Sequence, residues 1–110
     1  MTIAKNITTE SFEIVSFAFN KEVSFDAQQT SLEALNDIVK TLKGFKSRDY
    51  YYSEDNQRWF DFIVWENLED AQAASKQIMS NPQALEIFAL MDEETMSFSH
   101  YKKLGGVKQD

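Results

Sequence analysis

The sequence has 110 residues, the size of one domain, since typical domains run to about 100–150 residues. Lys plus Arg number 11 and Asp plus Glu 18, so the formal charge is −7; with no basic block, that balance argues against nucleic-acid phosphates and against an anionic membrane surface as partners. The absence of cysteine and the single histidine exclude a disulfide, a thiolate nucleophile and a metal site built from several His or Cys of one chain.

Hydrophobic residues make up 43%, with nine Phe, four Tyr and two Trp, so the chain can form a core. Met1 to Glu10 lacks the apolar stretch of a signal peptide, and no apolar run approaches the roughly 20 residues of a membrane span. The expectation is one soluble, cytoplasmic domain over residues 1–110, with its core at about 11–104.

Ser11 to Phe19 reads as a strand that is apolar on both faces: Phe12, Ile14 and Ala18 on one, Val15, Phe17 and Phe19 on the other. Asp26 to Lys43 reads as an amphipathic helix, with Leu32, Leu35, Ile38, Val39 and Leu42 on one side and Gly44 at its C′ position. Phe45 to Glu54 and Gln57 to Glu66 read as two strands joined at Asp55-Asn56. With that two-residue turn, Tyr52 faces Trp59, Tyr50 faces Asp61 and Arg48 faces Ile63. Asn67 caps a helix running to Met79, with Leu68, Ala71, Ala74 and Ile78 inward. Asn81-Pro82 breaks it, and Pro82 starts a short helix with Leu85, Phe88 and Ala89 inward. Thr95 to Lys103 reads as the last strand, and the tail from Gly105 to Asp110 as frayed.

The order βαββαβ predicts an α+β, ferredoxin-like sandwich: a four-stranded antiparallel sheet with both helices on one face. Two helices cover one face only. The third strand is apolar on both, with Phe60, Phe62 and Val64 opposite Trp59, Ile63 and Trp65. An uncovered aromatic face is poorly tolerated by soluble monomers. A second copy is its simplest cover, so a homodimer is expected.

Gly44-Phe45-Lys46-Ser47-Arg48, Ser53-Glu54-Asp55-Asn56 and the run from Trp59 to Glu66 together resemble the central hairpin of the antibiotic-biosynthesis-monooxygenase-like domains. The helix carrying Ala71, Ala73 and Ala74, the Asn81-Pro82 break and the closing Met96 to Tyr101 fit the same pattern. The resemblance spans roughly Phe12 to Leu104. It implies the dimeric α+β barrel, in which two sheets pack face to face and each subunit keeps a pocket between sheet and helices. Members of that family include cofactor-free oxygenases acting on quinols or aromatic polyketides, haem-degrading enzymes, and domains without known activity. The haem ligand of the haem-degrading members is a histidine on the second helical segment; Asn67 to Met91 contains none.

Two residues are candidate catalysts. Asp61 stands in an apolar strand, where a carboxylate must be paired or hydrogen-bonded. It is either a structural partner of Arg48 or a pocket carboxylate that serves as a base. His100, on the last strand, is either a satisfied rim histidine or the general base for a phenolic or quinol substrate. Trp59, Trp65, Tyr50 and Tyr52 share one face with Arg48, as core, interface or ligand wall. The alanines of the second helix either pack closely or leave room for a ligand. No metal-ligand spacing, phosphate loop or nucleophile elbow is present, so no cofactor is expected.

The leading reading is a cofactor-independent oxygenase acting on a small apolar or aromatic, quinol-like molecule. The alternatives are a non-catalytic homodimer that binds a small ligand, and an interaction module with none. Convergence of Asp61, Arg48 and His100 on one cavity favours the enzyme. An Asp61–Arg48 pair closed on itself, with His100 in solvent, favours the others.

Overall fold

The computed structural model describes residues 2–4 and 8–109. In chain order the elements are β1 (Thr2–Ala4), β2 (Ser11–Phe19), α1 (Phe25–Val39), β3 (Phe45–Ser53), β4 (Arg58–Trp65), α2 (Leu68–Ile78), α3 (Pro82–Phe88), β5 (Met91–Lys102) and β6 (Gly106–Lys108). Four strands form one antiparallel sheet in the order β3-β4-β2-β5, the ferredoxin-like order that the sequence implies.

Strand alternation sets the two faces. On β4, Trp59, Asp61, Ile63 and Trp65 are buried against the helices, while Arg58, Phe60, Phe62 and Val64 lie on the open face. Leu32, Leu35 and Val39 of α1 and Ile78 of α2 pack with Phe17, Phe19 and Trp59 as the main core. Ala71 and Ala74 press closely on Ile63 and Trp65, so these small residues serve packing.

The hairpin register is the expected one: Tyr52 pairs with Trp59, Tyr50 with Asp61 and Arg48 with Ile63. Its turn differs. The connection runs over Glu54–Gln57, and the positive φ falls on Gln57, at 52°, rather than on Asp55-Asn56. Pairing stops at Ser53–Arg58, which keeps the register while lengthening the loop from two residues to four.

Helix α1 starts at its Ser24 cap, whose Oγ accepts from the Ala27 amide at 3.2 Å. It ends four residues before the expected Lys43. The Thr41 hydroxyl and amide both donate to the Ile38 carbonyl, at 2.8 and 3.3 Å, and tighten the last turn. Gly44, beyond the helix, takes φ 85°; a Cβ there would stand 2.5 Å from Asp70 Oδ2.

In α2 the expected inward residues Ala71, Ala74 and Ile78 are buried, with one exception at the first residue of the helix, where Leu68 is exposed. In α3 the face is rotated from expectation: Ala84 and Ile87 are buried, Phe88 is half-buried, and Leu85 and Ala89 are exposed. The Asn81 side chain accepts from the Ala84 amide at 3.1 Å, and that cap sets the phase of the helix.

β5 begins at Met91, four residues early. The acidic run Asp92-Glu93-Glu94 has poor strand propensity, yet Ala18 pairs with Asp92. The register shifts between Ser16 and Ala18, and Thr95 Oγ1 accepts from the Ala18 amide at 2.9 Å in place of a ladder bond. The tail corrects a further expectation: Gly106–Lys108 pairs antiparallel with Thr2–Ala4. Ser11 pairs with Lys102, so the segments before β2 and after β5 leave the sheet side by side. Asp110 lies outside the described residues.

Candidate active site

A cavity of about 400 Å³ lies between the helix-facing side of the sheet and α1, α2 and α3. Its floor is buried. Glu13, Val15 and Phe17 come from β2, Asp61 and Ile63 from β4, and Arg48 from β3. Leu35, Val39 and Ile78 form apolar walls. Met79, Met96 and Phe98 line it too and are exposed, so they mark its mouth.

Asp61 and Arg48 satisfy each other. Arg48 Nε donates to both carboxylate oxygens, at 3.0 and 3.2 Å, and Nη2 donates to Oδ2 at 2.7 Å. Nη1 donates to the Leu32 carbonyl and to Asn36 Oδ1, both at 2.7 Å, and so ties the pair to α1. The guanidinium also lies 4.5 Å from the centre of the Tyr50 ring. Both side chains are almost wholly buried. This bidentate pair anchors the hairpin to α1 and presents a polar but neutralised edge to the cavity.

The second polar group is Glu13, which the sequence reading passed over. It is 5% exposed, and its Oε1 lies 3.2 Å from Trp65 Nε1, which donates to it, and 3.2 Å from His100 Nε2. Among the described residues no hydrogen bond reaches Oε2, although Glu13 lines the cavity. Burial pushes the Glu13 carboxyl above its ordinary value; the His100 and Trp65 contacts pull it back, and the Asp61 charge pushes it further up. The signal was in the sequence: a carboxylate alternating with apolar residues in a strand, the same feature that singled out Asp61.

Glu13 is the direct partner of His100 across β2 and β5, and of Ile63 across β2 and β4. Strand β2 therefore stands between the strands that carry Asp61 and His100, and both side chains project to the helix-facing side. His100 reaches the cavity through Glu13 rather than by lining it. Its own side chain is partly exposed and sits edge-on to Phe98, with ring centres 5.1 Å apart.

Compared by sequence, the chain matches no family profile and no curated protein. Its fold is matched closely. A variant of SnoaB, a cofactor-independent oxygenase from Streptomyces nogalater, superposes with a TM-score of 0.71 at 14% identity, over 94% of this chain and 97% of that one. A candidate antibiotic biosynthesis monooxygenase from Bordetella bronchiseptica gives 0.67 at 17% identity, over 87% and 98%. A second such protein, from Nitrosomonas europaea, gives 0.60 at 17%, over 88% and 92%. The chain has the antibiotic-biosynthesis-monooxygenase-like fold.

Within that fold the four aromatic candidates share a face, as expected, and take packing positions outside the cavity lining. Trp65 is fully buried against Phe45 and bonded to Glu13. Trp59 donates to Gln28 Oε1 at 2.9 Å and packs among Tyr50, Tyr52 and Phe25. Among the described residues no group of three or more His, Cys, Asp or Glu could hold a metal ion, and no helix is long and apolar enough to cross a membrane.

Proposed function

We propose that this protein is a small-molecule enzyme of the cofactor-independent oxygenase type, acting on an aromatic or quinol-like substrate. The observation that carries the reading is Glu13: a buried carboxylate with a raised pKa, one oxygen held by Trp65 and His100, the other unengaged by the described residues in an apolar cavity. A carboxyl raised toward neutrality is a better general base than an ordinary one. It takes a proton from an electron-rich phenol or from the ring carbon beside it. The resulting anion adds to dioxygen, forming a carbon–oxygen bond; loss of water from the peroxide leaves a quinone carbonyl. Carbon loses the electrons that oxygen gains. Arg48, neutralised by Asp61, contributes a polar N–H edge rather than net charge to the cavity, and His100 positions Glu13. The SnoaB likeness supports the reading at the level of fold.

The working unit in this proposal is a homodimer. Phe12, Ile14, Phe60, Phe62 and Val64 make the open sheet face apolar, and Tyr51 and Tyr101 stand exposed beside them. A second sheet is the cover that suits such a face.

The experiment is an oxygen-uptake screen with chelator-treated protein and a panel of naphthols, hydroquinones and anthrones. The proposal expects uptake in proportion to protein for at least one ring class. Binding without uptake across the panel would favour the non-catalytic reading, to which the closed Asp61–Arg48 pair also lends support.

A further inference from the structure

Polarity in the cavity runs in one direction. Glu13, Asp61 and Arg48 lie at the buried floor. The exposed lining residues are Met79 at 60%, Phe98 at 47% and Met96 at 37%, together with Glu93. A binding site more often buries apolar groups and leaves polar ones at its rim. Here the rim is thioether and aromatic, and its one charge is a carboxylate in a chain of formal charge −7. An anionic outer group, such as a phosphate or a carboxylate, would meet Glu93.

We propose that the ligand of this cavity is amphipathic in the reverse sense: a hydroxylated ring seated with its hydroxyl toward Glu13, bearing a neutral alkyl tail that leaves over Met79, Met96 and Phe98. The inference rests on the cavity being the substrate site, as proposed above. Methionine suits the role, because its flexible, polarisable side chain adapts to chains of different length. Each methylene of the tail that reaches this rim is removed from water.

Calorimetric titration with 2-naphthol and its 6-ethyl, 6-butyl and 6-hexyl derivatives tests it. The expected result is a gain in affinity of about two- to fourfold for each added methylene until the rim is passed. Met79→Glu and Met96→Glu, both at exposed positions, should each flatten that dependence. Parent naphthol bound with affinity flat or falling along the series overturns the tail and leaves the substrate site standing. Failure of every member to bind overturns both. An undiminished chain-length dependence in both variants places the tail elsewhere and overturns the assignment.

Discussion

Glu13 and His100 face each other across β2 and β5, with Oε1 3.2 Å from Nε2, and Trp65 Nε1 meets the same oxygen from β4 at 3.2 Å. Three strands thus converge on one carboxylate oxygen. The arrangement fixes the rotamer of Glu13 and directs its other oxygen away from these partners.

Its pH signature has a definite sign. The folded-state pKa of Glu13 is raised by burial, so its favourable contribution is fully present below the ordinary carboxylate pKa and is lost as pH rises through the folded value. Glu13→Gln removes the ionisation while keeping an oxygen for Trp65 and His100. Its melting temperature should exceed that of the wild type at pH 7, and the gap should close toward pH 4. A gap that widens on acidification would show that the ionised carboxylate is the stabilising form.

The Asp61–Arg48 pair should behave as a buried unit. Asp61→Asn or Arg48→Met alone leaves one charge without its partner and should cost about 3–5 kcal/mol in denaturant melts. Asp61→Leu with Arg48→Met should recover most of that loss. Additive losses in the double variant would show that Leu32 and Asn36, rather than the pair itself, are what Arg48 contributes.

Trp65 joins core to site. It is fully buried, so Trp65→Ala should cost about 3–5 kcal/mol. Trp65→Phe keeps most of the volume but leaves Glu13 short of a donor, with an expected cost of about 1–3 kcal/mol. A loss below about 1 kcal/mol for Trp65→Ala would contradict its place in the core.

Periodicity carried much of this arrangement. Alternation on β3 and β4 gave the Arg48–Ile63 and Tyr50–Asp61 pairings, because a one-residue slip would turn Asp61 to the open face. The strand order put β2 between Asp61 and His100. What escaped depends on tertiary partners. The acidic start of β5 pairs only because β2 offers its edge and Thr95 bridges the bulge. The pairing of Thr2–Ala4 with Gly106–Lys108 needs both ends brought together by β2 and β5. Glu13 was legible by the criterion that found Asp61, but its histidine and tryptophan partners are 87 and 52 residues away.

The proposed dimer has its own test. Light scattering at micromolar concentration should return twice the chain mass of 12.8 kDa. Phe60→Glu combined with Phe62→Glu should return the single-chain mass with the helical circular dichroism kept. A wild-type mass of one chain would remove the sheet-face interface.

The most direct test of the central claim is the kcat of Glu13→Gln on the first substrate found by oxygen uptake. With Glu13 as the base, kcat should fall by about 10²–10⁴-fold although the variant's fold at pH 7 is more stable than the wild type's. A kcat within about threefold of wild type would contradict the account, since a lost general base costs far more than that.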